Sequence, residues 1–444
     1  MSTNWAQVHS VYGFLGDQLK CASEAVLSAP RGAYLIADFL SEDTFQILKT
    51  KLRREHFFET FLENMIDLVT ARAMHDRQIR MVTNAGALDP RGCAEMLAAR
   101  LGEYGIPLRV AAVVGDNLTD RIDTLGPLPD LHTGEPLPPA LKKRLTAVAT
   151  YIGAERAAQA LADGADIVIA GRMTDAGLSL AAAAHAHAWS FDGNVDLLAA
   201  GVLAGHLLSC GAQSARPVSL ADVDVDALGR IIYPWARISA EGDVIVGSPS
   251  GITPEAVITQ LFYGISQPQF IDADVVLDLT SVRVVPESPT SVRVSGFRGL
   301  PRPEKLRVLA LCSGEAHTMR GTLELPRSDL EVCGKDGLRR LIASRMRAGG
   351  ALMDDDDIEL EILGESAHTA MVFYSIRFAQ KLYANIARGQ LPSLLVSGIN
   401  GAYGTIPQVE REVVIWDSLI DRDLLGANLR VEMIDPDHGG HDDC

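Results

Sequence analysis

Four short apolar runs in this chain end in polar groups that can do chemistry. YLIADF (34–39) reaches Asp38, and IRMVTN (79–84) reaches Asn84 and then Gly86. LRVAAVVGDN (108–117) reaches Asp116 and Asn117, and DIVIAGRMTD (166–175) reaches Arg172, Thr174 and Asp175. A carboxylate held at such a position can take or return a proton, so Asp116, Asp175 and Asp38 are the candidate bases. Asn84, with nearby backbone N–H groups, suits a developing enolate oxygen. Arg172 directly follows an apolar run, where it has no local structural duty, and its planar fork suits a carboxylate or phosphate. Gly86, Asn117, Thr174 and Arg91 fill out the candidate substrate-binding set. Asp17, Asp38 and Asp116 would offer oxygen ligands to a divalent metal such as Mg²⁺, although no metal-binding spacing accompanies them.

A second group lies on a helix. His206 and Cys210 are four residues apart and share a helical face, as an acid or base and a candidate nucleophile. Cys93 is the other candidate thiol, at a strand–helix junction where a cysteine pKa can fall. Each of these residues also has a purely structural reading. Asp89 before Pro90 looks like a helix N-cap, and Asp175 could cap the alanine-rich helix that follows it. His206 could be a satisfied core histidine, and the two cysteines could simply pack. The pair His185 and His187 would diverge on a helix and not chelate. GFLGDQ lacks the third glycine of a dinucleotide loop, and the chain has no phosphate-loop lysine motif, no GxSxG and no HExxH.

The elements that must hold these groups alternate. Strand-like runs at 34–39, 79–84, 108–114 and 166–170, with TAVATYI (146–152) as a fifth, are separated by helical stretches at 44–74, 91–103 and 154–163. Near-continuous apolar strands with intervening helices predict a parallel, Rossmann-like α/β layer over residues 1–229. Open parallel sheets bind ligands outside the carboxyl ends of their strands, so the polar loops should converge. The alanine- and leucine-rich stretch 173–210 reads as helices packed on that sheet. From about 230 the pattern changes. DADVVLDLTSVRVVPESPTSVRVSGF (272–297) alternates with period two around a PESPTS turn, and a helix over 376–388 closed by Gly389 precedes a candidate strand at 391–398. A second, mixed α+β domain is expected over 230–434, with a flexible tail at 435–444.

Composition bounds the function. The 444 residues carry 40 basic and 57 acidic side chains, a net charge of −17, with 47% hydrophobic residues, which is a globular balance. The acidic excess argues against a nonspecific nucleic-acid partner. Lysines number 8 of the 40 bases, so an anionic substrate must meet arginine. Six dispersed cysteines without a CxxC suit a reducing compartment, and the amino terminus has no signal-peptide pattern. A cytoplasmic homo-oligomer without membrane segments is the expectation.

Several of these segments together resemble the acyclic terpene utilization family AtuA. They are GFLGD (13–17), YLIADFLSE (34–42), VTNAGALDPRGCAE (82–95), VVGDNL (113–118), GADIVIAGRMTDAGL (164–178) and AGHLLSCGAQ (204–213). VITQLFYG (257–264), DVVLDLTSVRV (274–284) and VRVSGFRG (292–299) extend the resemblance over nearly the whole chain. VHSVYGF departs from the small-residue run of the family before the GD pair, which would crowd a phosphate there. The resemblance implies catabolism of branched acyl compounds beside CoA-dependent enzymes, and a separately encoded small protein resembling the C-terminal module that many relatives carry. The expected activity is therefore proton-transfer chemistry on a small carboxylic acid or acyl-CoA, as a hydratase or related lyase. The alternatives are a ligand-binding or scaffolding subunit and a cysteine-dependent acyl transferase or hydrolase.

Overall fold

The computed structural model describes residues 5–13, 20–40, 57–58, 61–211, 233–249, 251–263, 265, 267–394, 403–404 and 407–435. In chain order the strands are β1 (Trp5–Tyr12), β2 (Tyr34–Ala37), β3 (Arg80–Thr83), β4 (Val110–Val114), β5 (Leu145–Thr150), β6 (Ile167–Ala170), β7 (Trp235–Ser239), β8 (Val244–Gly247), β9 (Gln269–Ile271), β10 (Val276–Asp278), β11 (Arg283–Ser288), β12 (Ser291–Ser295), β13 (Arg298–Leu300), β14 (Lys305–Pro326), β15 (Ile358–Glu365), β16 (Thr369–Phe378), β17 (Tyr403–Gly404), β18 (Gln408–Asp421) and β19 (Arg430–Ile434). The helices used below are α1 (Lys20–Ser28), α2 (Leu68–Arg77), α3 (Pro90–Tyr104), α4 (Glu155–Ala162), α5 (Gly177–His187), α6 (Val195–Leu208), α7 (Pro254–Leu261), α8 (Arg327–Ala348) and α9 (Lys381–Leu394). The chain divides into two compact units. The first takes residues 1–136, 147–310 and 417–444, and the second takes 137–146 and 311–416.

The first unit is built on a ten-stranded sheet ordered β11-β12-β8-β7-β1-β2-β3-β6-β4-β19. Its middle is parallel: β1 pairs with β2, β2 with β3, β3 with β6 and β6 with β4. Every residue of β2 and β6 is buried, as their continuous apolar sequences require of strands covered on both faces. The connections from β1 to β4 step one way along the sheet. Right-handed crossovers therefore put α1, α2 and α3 on one face. The return from β4 to β6 reverses direction, and α4, α5 and α6 pack on the other face. Adjacent strands β3 and β6 thus send their chains to opposite faces, which opens a crevice at their carboxyl ends.

The sheet is mixed rather than wholly parallel. Beyond β1 the hairpin-linked strands β7, β8, β12 and β11 add antiparallel, and β19 closes the far side antiparallel to β4. Short connections such as 240–243 and 289–290 can join only antiparallel neighbours. This also moves the boundary expected near 230, because β7, β8, β11 and β12 continue the first sheet, while β9, β10 and β13 form a three-stranded sheet against α6. TAVATYI forms β5, but β5 pairs with β14 and not with the parallel strands. Of the expected helix over 44–74, the described part holds a single π-helical turn at Phe61–Met65 and then α2.

The second unit carries the antiparallel sheet β15-β16-β14-β17, with α8 and α9 on it. Its core gathers Met319, Leu338, Ile342, Tyr374 and Phe378. Helix α8 breaks at Gly334, whose φ of 63° only glycine adopts freely. The helix expected over 376–388 is displaced: β16 runs on to Phe378, and α9 passes through Gly389 to Leu394. That helix replaces the start of the strand expected at 391–398, whose remainder lies outside the described residues. The tail beyond 435 lies outside them too. Among the described residues, no helix is long and apolar enough to cross a membrane.

Candidate functional site

The loops after β2, β3, β4 and β6 are tied together by their own polar groups. Asn84 Nδ2 donates to Asp38 Oδ1 at 2.7 Å, and Asn84 Oδ1 accepts from the Phe39 N–H at 2.6 Å. Leu40 N–H adds a donor to Asp38 Oδ1 at 3.3 Å. Both ends of the Asn84 amide are thereby spent on holding Asp38. Arg172 Nη1 donates to the Leu40 carbonyl and, at 3.0 Å, to Asp175 Oδ1. The Arg172 guanidinium lies 3.8 Å from the centre of the Tyr151 ring, and Arg307, itself paired with Asp417 at 2.6 Å, covers that ring at 4.9 Å. Asp116 Oδ2 accepts the Arg172 backbone N–H at 2.6 Å. Gly171 is needed there, because a Cβ would stand 2.1 Å from that carboxylate oxygen.

Arg172 is 1% exposed, so it holds three loops together and does not present its fork to solvent. Asp175 is the accessible member, with 39% of its side chain exposed. It does not cap α5: Ala176 takes the cap position, and no side chain bonds the helix end. Asp89 does cap α3, accepting from Gly92 N–H at 3.0 Å ahead of Pro90. Burial pushes the Asp38 carboxyl up to about 8, aided by the neighbouring Asp175 charge and opposed by Asn84 and Arg172. Burial raises Asp116 to about 6 against the pull of the Arg172 backbone N–H and its charge. Two acids of one site thus face different environments: a buried one favouring its neutral form and a half-exposed one beside a cation. Arg172 Nε and Asp116 Oδ1 are buried with no hydrogen-bond partner among the described residues.

The model of the acyclic terpene utilisation family protein AtuA matches residues 6–427. The chain belongs to the AtuA family. No curated protein matches it. In this AtuA-family chain the match spans every loop of the cluster.

Other expected residues take different places. His206 on α6 is 6% exposed, its Nε2 is committed to the Leu261 carbonyl at 3.0 Å, and burial lowers its pKa. It fixes α7 against α6, with its ring 4.5 Å from that of Phe270. Cys210 is half-buried, and burial raises its thiol pKa, with the Asp38 and Asp175 charges adding to the rise. That is the opposite of an activated thiolate. Cys93 lies on the buried face of α3, fully enclosed in the core. Arg91 turns away to Glu432 on β19 at 2.5 Å. Asn117 is exposed and straps the loop, donating to the Leu88 carbonyl at 2.9 Å and accepting from Thr119. Gly86 lets the β3 loop close: its N–H bonds the Ala170 carbonyl at 3.1 Å, and a Cβ would stand 2.6 Å from Pro90 Cα. Asp17 lies outside the described residues. Among those residues no three acidic, histidine or cysteine side chains are placed to hold a metal ion.

The site also holds residues that the sequence reading passed over. Asp272 and Asp274 precede β10, are buried, and are both raised first by burial; the Asp274 charge raises Asp272 further, and Asp175 adds to it. Asp274 Oδ2 accepts the Ala154 N–H at 2.6 Å and so serves the amino end of α4 from outside that helix. Thr174 faces Asp272 and favours its charged form. The signal was the DAD of IDADVVLD, in a stretch whose alternation spoke only of strands.

Proposed function

We propose that this chain is a catabolic enzyme that moves protons on a small carboxylic acid or acyl-CoA, most simply by hydration or dehydration. The observation that carries the reading is the Asp38–Arg172–Asp175 arrangement at the carboxyl ends of β2 and β6. Asp175, half-exposed and paired with Arg172, is the base that takes the proton next to the substrate carbonyl. Asp38, neutral near pH 7 and held by Asn84, returns a proton to the departing hydroxyl. The Cα–H and Cβ–O bonds break, water leaves, and proton exchange with solvent resets the two carboxyls. The buried Arg172 charge favours the enolate that develops between these steps. Family membership supports the setting in acyl catabolism. The raised thiol pKa of Cys210 and the burial of Cys93 weigh against a cysteine nucleophile.

The test is a screen of acyl-CoA thioesters and hydroxy acids, with and without Mg²⁺ and any co-encoded small protein. It is followed by Asp175→Asn in the active assay. The variant is expected to fold normally and lose roughly 10²-fold or more of turnover, the usual share of a positioned proton-transfer group. Wild-type turnover in Asp175→Asn would remove Asp175 from the chemistry.

A further inference from the structure

A cavity of about 450 Å³ lies in the first unit, on the antiparallel extension of the sheet. Its size is that of a small-molecule site. Its floor follows from register. Gln7 pairs with Arg237 and His9 with Trp235 across β1 and β7, so these side chains stand together on one face of the sheet. Ser28, the last residue of α1, and Pro30, which leads on toward β2, form one wall. In a parallel βαβ unit that turn sits at the amino ends of the strands, opposite the Asp38–Asp175 loops.

The chemistry of the cavity is that of a donor-rich site with Arg237 as the cation in its lining; the Glu287 carboxylate senses that charge but is held by Arg293. Arg237 lies 5.3 Å from the Trp235 ring centre and 5.7 Å from that of Trp5. These indoles hold the guanidinium without neutralising it. Arg237 forms no ion pair among the described residues, and its Nε is buried without a hydrogen-bond partner. The neighbouring Arg293, in contrast, is consumed by Glu287 at 3.1 Å and by Asp243 at 3.4 Å. His9 Nε2 is likewise buried and unpartnered, and burial lowers the ring pKa to about 4, so it meets a ligand as a neutral imidazole. Gln7 and the hydroxyls of Thr290 and Ser291 complete the lining. Gly247 keeps the floor flat, since a Cβ there would stand 2.2 Å from the Trp235 ring. Buried donors without acceptors are costly, and an oxyanion satisfies them together.

We propose that this cavity is a second ligand site, separate from the carboxyl-end cluster, that binds the carboxylate or phosphate group of a small polar metabolite through Arg237, Gln7 and His9. Calorimetric titration of the full chain with inorganic phosphate, malonate and uncharged glycerol tests it. Phosphate or malonate should bind and glycerol should not, and the stronger of the two identifies the anion. Arg237→Gln should weaken that binding by about tenfold or more, as loss of a charge-assisted contact does. Gln7→Ala, which leaves the charge in place, should weaken it less and serves where Arg237→Gln fails to fold. Asp175→Asn should leave it unchanged. Absence of anion binding to the wild type would overturn the proposal. So would binding untouched by both cavity variants, or binding strengthened by Asp175→Asn, which would put the anion beside Arg172 in the carboxyl-end cluster.

Discussion

At the scale of single residues, burial separates the roles of the aspartates. Asp38 and Asp175 interact, yet one is nearly sealed and the other half open. The raised folded-state pKa of Asp38 has a consequence for stability. The folded protein holds a proton that the unfolded chain releases near the ordinary value of 3.8, so this contribution is full below that value and is lost as pH rises through about 8. Denaturation followed between pH 5 and 9 should show wild-type stability falling up to about pH 8 and then levelling, with a shallower fall for Asp38→Asn. Equal slopes in the two proteins would mean that Asp38 titrates as it does in water. Much of this pair was legible in the sequence, because polar residues at the ends of apolar runs must gather where parallel strands end. The division of labour was not. Asn84 reads as an enolate holder until its amide is seen to be spent on Asp38 and Phe39, and Arg172 reads as a substrate fork until its burial is known. Neither property has a local sequence signal, since both depend on which loops lie above the residue.

At the scale of elements, the site depends on the β6–α5 turn. Arg172 reaches the β2 loop through Leu40, its own turn through Asp175 and the Tyr151 ring, while its backbone meets Asp116 from the β4 loop. Lysine keeps the charge but cannot serve two acceptors from one plane and stack as well. Arg172→Lys is therefore expected to cost about 2–4 kcal/mol of stability, as broken buried charge-assisted contacts do, besides any loss of turnover. A denaturation midpoint equal to wild type, with activity lost, would return Arg172 to a substrate-facing role. The strands of this region were readable from their apolar runs, as were α3, α5 and α6 from their composition. The pairing of β5 with β14 was not, because a near-continuous apolar strand carries no mark of its partner.

At the scale of the whole molecule, the chain carries a net charge of −17, and its candidate crevice is lined mainly by carboxyls. An anionic substrate approaches against that field and meets in Arg172 only a buried charge. Raising ionic strength from about 10 mM to 150 mM shortens the screening length from roughly 30 Å to 8 Å. For an anionic substrate kcat/KM should rise over that range, and a fall would place an exposed cation at the entrance. Division into two sheet-bearing parts was visible in the change of pattern along the chain, but its position was not. Residues 235–300 resemble a new domain because their strands alternate. Among them β7, β8, β12 and β11 form the antiparallel flank of the first sheet, and only the pairing of β7 with β1 reveals it.

The central claim is that a buried, proton-holding Asp38 stands beside an accessible carboxylate. Infrared difference titration of the full chain reads this directly, with no substrate needed. The spectrum should hold a protonated-carboxyl band that disappears as pH passes through about 8, above the band that Asp272 gives near 7, and that is missing from the corresponding Asp38→Asn spectrum. A wild-type protein with no such band above pH 7, or one whose band survives unchanged in Asp38→Asn, would contradict it.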